Sequence, residues 1–338
     1  NVGIGTSNPT VGKLQVNDGS GAITALTRTS GSTSGDLGTI RFGNTDIDSN
    51  LVNIVAFQDG ATNSGALKFE TQASGGATTE RMRIDSSGNS TFTGTINGVG
   101  IKAGVSNFAT SILISSDGST GTLSSASSNT GLGDSVFAAL TSGTNNTAIG
   151  NAAMAANTTG SLNTAIGNGA FDTNTTGSSN VAVGDRALTA NTTADNNTAV
   201  GSLALTANTT GHSNTALGKS SLTACTTGTH NIAVGLSSGA GLTTGIRNIA
   251  VGASAMENGT VTGEDNTAIG HNSMTLLSSG NDNTAVGAYT LDANTTGAFN
   301  TAIGHSALGS NTTANSNVAV GYGSLTSNTT GTSNTALG

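Results

Sequence analysis

The 338-residue sequence has no tryptophan, one proline and one cysteine, and only 8% of its residues are charged. Aromatic residues make up 3%, too few for a conventional globular core built on large rings. The lone cysteine, Cys225, excludes an intrachain disulfide and says almost nothing about redox compartment. The formal net charge is −8, and beyond residue 128 the only cations are Arg186, Lys219 and Arg247. No basic stripe is therefore available for nucleic acid, and no cationic amphipathic face for a membrane surface. No apolar run approaches the ~18 residues of a membrane span, so neither nucleic-acid binding nor membrane insertion is expected. Low charge with near-neutral mean hydropathy also argues against disorder. The chain opens at Asn1 with no secretory leader, and closes on Asn-Thr-Ala-Leu-Gly, the first five residues of a repeat. The expectation is a segment cut at both ends from a longer polypeptide.

What the sequence has instead is glycine (50 residues), threonine, asparagine and a period. Asparagines recur at 129, 146, 163, 180, 197, 214, 231, 248, 266, 283, 300, 317 and 334, every interval being 17 residues except 248 to 266, which is 18. A period of this length kept over the array marks a stacked repeat architecture. The unit reads Asn, Thr/Val/Ile, Ala, Ile/Val/Leu, Gly, two variable residues, Ala/Ser, Leu/Met/Phe, two variable residues, Asn, Thr, Thr, Gly and two variable residues.

Positions 2 to 4 predict a short strand whose larger side chain sits at position 4, as in Ile149, Ile166 and Val183. Position 3 is Ala in nearly every copy, which implies a close neighbour on that face. Position 9 (Phe137, Met154, Phe171, Leu188) predicts a second apolar anchor. Each coil is expected to offer two anchors and one small residue, to hold about two short strands and two turns, and to be stable only when stacked. Gly at position 5 and Gly or Ala at position 15 predict corners that need positive φ or close approach. Asn at positions 1 and 12 suits corners whose amides form ladders from coil to coil. Twelve intervals at ~4.8 Å give a rod of roughly 58 Å. Recurrent Gly and Thr-Thr-Gly exclude helices.

The fold class expected is all-β: a small N-terminal β-domain over 1–97, completed by neighbouring subunits, a Gly/Ser/Thr-rich connector over 98–128, and a parallel β-roll or β-solenoid over 129–338. In the first part Val2 and Ile4, then Leu14 and Val16, predict strand, turn, strand around Pro9. Apolar runs between Leu37 and Ile84, separated by Gly and Asn clusters, predict antiparallel hairpins. Asp85–Asn89 predicts a turn and Ser90–Asn97 a period-2 strand.

The unit Asn-Thr-Ala-Ile-Gly … Ala-Leu … Asn-Thr-Thr-Gly resembles the head repeats of trimeric autotransporter adhesins, which implies a left-handed parallel β-roll packed as a trimer. The present units are longer than that family's, so one turn is expected to be enlarged. Glu80-Arg-Met-Arg-Ile-Asp-Ser-Ser-Gly-Asn89 and Asn1-Val-Gly-Ile-Gly-Thr-Ser-Asn-Pro9 resemble phrases of phage tail-fibre proteins. That resemblance implies a virion tail fibre outside the cell. Its expected partners are two further copies of the chain, other tail or baseplate proteins, and a host receptor or glycan met through a distal tip. The alternatives are an adhesin on a bacterial cell surface and an ice-binding solenoid.

No catalytic constellation emerges, so no enzyme activity, cofactor or metal site is expected and a ligand site is left unassigned. His271 and His305 share position 6 two coils apart, roughly 10 Å, too far for one ion within a chain; with His212 and His230 they read as solvent-facing. Cys225 falls at position 12 and reads as a turn substitution. Seven Asn-Thr-Thr triplets, from Asn157 to Asn328, match a glycosylation acceptor but are the turn of the repeat. Adjacent threonines point to opposite faces, which weakens an ice-template reading of Thr-Thr. The acidic residues Asp172, Asp185, Asp195, Glu264, Asp265, Asp282 and Asp292 are scattered over different phases of the repeat and form no carboxylate pair.

Overall fold

The computed structural model describes residues 34–44, 48–59, 65–73, 76–88, 90–92, 95–96, 99–103, 108–115 and 120–338. The strand-turn-strand expected over residues 1–30 lies outside them. No helix occurs among the described residues. The chain divides into two compact units, residues 1–94 and 95–338.

The described part of the first unit is a five-stranded antiparallel sheet in sequential order: β1 (Ser34–Asn44), β2 (Asp48–Asp59), β3 (Gly65–Gln72), β4 (Thr78–Ile84) and β5 (Ser90–Phe92). The hairpins expected between residues 36 and 85 are therefore present. Val55 and Ala66 are buried on one face. On the same face, where Phe57 pairs with Ala66 and Lys68 with Val55, the Phe57 ring is approached by Lys68 Nζ, 5.5 Å from its centroid, and by Arg83 Cζ at 5.1 Å. Each cation has its own carboxylate, Lys68–Glu70 at 3.0 Å and Arg83–Glu80 at 2.8 Å. The β4–β5 turn is set by Asp85, whose carbonyl accepts from Gly88 N–H and whose carboxylate accepts from Ser87 N–H. The run expected as one strand over 90–97 divides, β5 pairing with β4, and β6 (Thr95–Ile96) pairing with β7 (Val99–Ala103) in the second unit.

In the second unit β8 (Phe108–Ala109) pairs with β10 (Ala126–Ser127), and β9 (Ile112–Ser115) opens a parallel ladder. From β9 the ladder runs through β11 (Thr130–Leu132), β12 (Thr147–Ile149), β13 (Thr164–Ile166), β14 (Val181–Val183), β15 (Thr198–Val200) and β16 (Thr215–Leu217). It continues through β17 (Ile232–Val234), β18 (Ile249–Val251), β19 (Thr267–Ile269), β20 (Thr284–Val286), β21 (Thr301–Ile303), β22 (Val318–Val320) and β23 (Thr335–Leu337). The pairing is in register, Ala148 on Ala165 on Ala182, and it passes the 18-residue coil unbroken, Ala250 on Ala268. This is a β-solenoid. It starts one coil before residue 129, because Ile112, Leu113 and Ile114 pair with Thr130, Gly131 and Leu132.

Each coil holds one strand of three residues, not two. The remaining 14 or 15 residues are turns whose backbone still bonds coil to coil, as where Thr158 N–H donates to Thr175 O and Leu188 N–H to Ala204 O. Three positions of most coils adopt left-handed φ: position 7 (Leu203, +62°), position 9 (Leu188, +56°) and position 17 (Leu162, +61°). Non-glycine residues pay about 1 kcal/mol or more for that region. The in-register stacking over-determines the conformation and holds it. Position 5 goes further, with Gly167 at φ +139° and a built Cβ 2.4 Å from Gly184 O. Gly160 at position 15 has ordinary φ but equally close approach, 2.3 Å from Gly177 O.

The interior reverses one expectation. Position 3 points inward, the alanines from Ala148 to Ala319 being fully buried. Position 4 points out, Ile166 remaining 38% exposed. Strand alternation leaves only one choice of face, and the interior is already filled by the position-9 anchor of the same coil and the small residue at position 8. So position 9 supplies the large anchor of most coils, joined or replaced at position 12 by Leu140, Leu242 and Leu277. Gly131, the exception at position 3, faces Leu113, whose Cδ1 would lie 2.7 Å from an added Cβ.

Two amide ladders line this core. The twelve position-1 asparagines from Asn129 to Asn317 are at most 1% exposed. Each side-chain carbonyl accepts the backbone N–H of the next asparagine, as from Asn197 N–H to Asn180 Oδ1 at 2.9 Å. From Asn129 to Asn300 each side-chain amide donates to the carbonyl at the next corner, position 15 in the 17-residue coils, as from Asn163 to Gly177 O at 2.9 Å. At the start of the ladder Ser111 Oγ accepts from Asn129 N–H at 2.8 Å and takes the role of the missing asparagine. The position-12 ladder is interrupted. Asn157, Asn174, Asn191 and Asn208 are followed by Cys225, Leu242, Val261 and Leu277, all fully buried, before Asn294 and Asn311 resume. The extra residue of the 18-residue coil lies between Met256 and Gly263, where Val261 enters the core and pairs with Leu242.

Candidate functional site

The largest uncommitted feature of the solenoid is the outer face of its sheet. Positions 2 and 4 stand two residues apart on each strand, so their side chains form two parallel rows, ~4.8 Å between coils and about 7 Å across. Row 4 is aliphatic throughout, and seven of its side chains, from Leu132 to Ile303, are 37–49% exposed. Row 2 is mostly Thr with Val and Ile, of which Ile232 is 41% and Val318 37% exposed. The two rows together cover on the order of 400 Å² over twelve coils, about half of it the aliphatic row 4.

The other faces are mostly polar, broken by single exposed side chains such as Leu162, Leu236, Leu276, Phe299 and Tyr322. Position-13 threonines spend their hydroxyls on the stack, as in Thr158 Oγ1 to Thr175 O at 2.8 Å. Position-14 threonines are the exposed members of the pair, Thr159 for example. The Asn-Thr-Thr asparagines Asn157, Asn174, Asn191, Asn208, Asn294 and Asn311 are fully buried with their Nδ2 groups donating inside the ladder. In the folded array those nitrogens are closed to a sugar.

Cys225 is fully buried, and burial pushes its thiol up to about 12; it is no nucleophile. Asp172 and Asp292, both at position 10, are held above the usual carboxylate range by desolvation, and Asp172 Oδ1 is buried without a hydrogen bond. They stand seven coils apart. Arg247 forks onto the next coil, Nε to Asp265 Oδ1 at 2.7 Å and Nη2 to Glu264 Oε2 at 2.8 Å. This holds the Asp265 carboxyl below its usual range.

The histidines do not all read as the spacing suggested. His271 and His305 are separated by the Tyr289 ring, 5.5 Å from each, and Tyr322 stacks on His305 at 5.4 Å. His212 and His230, which share no repeat position, meet across adjacent coils with ring centroids 5.1 Å apart. Counting positions missed that pair, because His212 at position 16 and His230 at position 17 come together only through the turn geometry.

Among the described residues no group of three or more His, Cys, Asp or Glu is placed to hold a metal ion, and no helix is long and apolar enough to cross a membrane. No protein-family model, curated protein or solved structure matches the chain.

Proposed function

We propose that the chain is a shaft segment of an elongated homotrimeric fibre, with positions 2 and 4 turned to the threefold axis. The observation that carries this reading is the continuous aliphatic strip on the outer sheet face. An identical strip on each of three copies is self-complementary, and closed symmetry buries it without leaving an open end. The fibre's work is mechanical: a stiff spacer, bonded coil to coil, that presents a distal tip to a host receptor or glycan. The resemblance of Glu80–Asn89 to tail-fibre phrases favours a virion tail fibre attached to tail or baseplate proteins. A bacterial surface adhesin is the alternative owner of the same shaft.

Light scattering with circular dichroism on the whole chain tests the assembly. The expected result is a β-rich trimer. Replacing Ile166 and Leu217 by Lys, both on the strip and 38% and 39% exposed, should give a monomer with an unchanged spectrum. A folded wild-type monomer would remove the fibre reading.

The same face favours a second reading. Thr at position 2 and an aliphatic residue at position 4 are two apart on a regular parallel sheet, the spacing that Thr-Thr lacks, as an ice-templating surface requires. A monomer that shows thermal hysteresis, lost on Thr164→Lys and Thr198→Lys, would support it.

A further inference from the structure

We propose that His212 and His230 form a two-imidazole chelate for a divalent transition metal of the nitrogen-preferring class, Cu²⁺ or Ni²⁺ before Zn²⁺. The pair bridges two coils. His230 N–H donates to His212 O at 3.2 Å, so the two residues are fixed side by side on the edge of the solenoid. Both side chains are exposed, and their ring centroids lie 5.1 Å apart with planes at 84°. Two imidazoles held cis on one tetragonal ion, or at the tetrahedral angle, with metal–nitrogen distances of ~2.0–2.1 Å, place their centroids roughly 4.5–5 Å apart. The observed separation is the one the chelate needs. His212 Nδ1 lies 3.3 Å from Ser213 Oγ, an outer partner that fixes the ring and leaves Nε2 for the ion.

The charged neighbours along this edge do not oppose a cation. Asp195, one coil before His212, turns its carboxylate to Ser178 N–H, and so supplies negative potential without being a third ligand. Arg247, one coil beyond His230, is engaged by Glu264 and Asp265 on its far side. The ion would have two protein ligands with water at its remaining positions. It would tie the coil of residues 197–213 to that of 214–230. His271 and His305 cannot do the same, because the Tyr289 ring stands between them.

Isothermal titration of the whole chain with Ni²⁺ and with Cu²⁺ alone tests the site. One ion should bind per chain, with Cu²⁺ tighter than Ni²⁺. His212→Gln and His230→Gln should each weaken binding by at least ~10-fold, since each removes the second, pre-positioned imidazole. His305→Gln should leave it unchanged, and circular dichroism of the three variants should match the wild type. The copper complex should show two nitrogen ligands by electron paramagnetic resonance. Equal affinity in His230→Gln and wild type, or an equal loss in His305→Gln, would overturn the assignment whatever the oligomeric state.

Discussion

Two asparagine-to-leucine substitutions that look alike in sequence should differ sharply in cost. In Asn180→Leu the side-chain carbonyl that accepts Asn197 N–H at 2.9 Å is removed. That N–H is buried, and no other acceptor for it is near. The amide's own acceptors survive the change: Ala194 O keeps the Asn191 amide at 3.1 Å, Ser178 O keeps Asn196 N–H at 3.1 Å, and Asn163 Oδ1 keeps Asn180 N–H at 2.9 Å. One new buried orphan donor remains, worth about 1–3 kcal/mol, with about 1 kcal/mol more for the bonds lost. The expected cost is ~2–4 kcal/mol. In Asn208→Leu the situation differs, because Asn208 Oδ1 already lacks a partner where Cys225 interrupts the ladder. Its amide donates to Asn191 Oδ1 and to Gly211 O, and Gly211 O keeps the Asn197 amide. The substitution moves one orphan from Asn208 to Asn191 without adding another, and extends the apolar column of Cys225, Leu242 and Val261. Its expected cost is below about 1 kcal/mol. Long repeat arrays need not unfold in one step, so hydrogen exchange over residues 190–215 is the primary assay and thermal melting the secondary. Exchange at Asn197 should accelerate markedly in Asn180→Leu alone. Equal protection and stabilities within ~0.5 kcal/mol of each other for the two variants would refute the claim that position 1 serves the neighbouring backbone while position 12 serves mainly its own turn.

Gly184→Ala should be worse than either, because its φ of +134° excludes a side chain and the new Cβ would lie 2.6 Å from Gly201 C and O. A loss of at least ~3 kcal/mol is expected from strain plus displaced stacking, read as a fall in melting temperature, and a near-neutral result would mean the coils can part at that corner. Asp172→Asn should raise the melting temperature at neutral pH. The folded carboxyl is held high by desolvation, so the charged form is disfavoured in the fold, and native stability rises as pH falls from the raised folded value towards the unfolded one. The gain over wild type should fade below about pH 4, and a gain that persists in acid would assign it to packing instead.

The stacked fold, the corners and the amide ladders are legible in the sequence because each leaves a mark at a fixed phase. Asn at position 1 and Gly at position 5 recur wherever a backbone N–H needs an acceptor or two coils approach closely. Inside and outside were not legible. Ile at position 4 and Ala at position 3 read, by size, as anchor and spacer, and the fold reverses them. The interior beside the strand is occupied by position 9, whose side chains sit in a left-handed turn that single-residue preferences assign to Gly or Asn. Local compensation is equally hidden. Coil 231–247 carries Gly239 in place of the anchor because Leu222 Cδ2 and Leu242 Cδ1 occupy its space, 2.9 and 3.1 Å from an added Cβ. The pair His212 and His230 escaped notice for the same reason, since turn geometry offsets their phases by one.

The reversal at positions 3 and 4 also bears on assembly. The interior, built of large side chains at positions 9 and 12, small residues and amide ladders, closes along the stack and uses none of the outer sheet face. The aliphatic residues at position 4 contribute nothing to that interior, yet none of them is replaced by a charged residue between Leu132 and Leu337. A solvated row on a solenoid would tolerate Lys or Glu, as position 6 does with Asp185, Lys219 and His271. An aliphatic row kept intact outside a closed core is what the proposed fibre requires, since a second surface would cover it. In that proposal another copy of this chain supplies a surface repeating every ~4.8 Å over the same length.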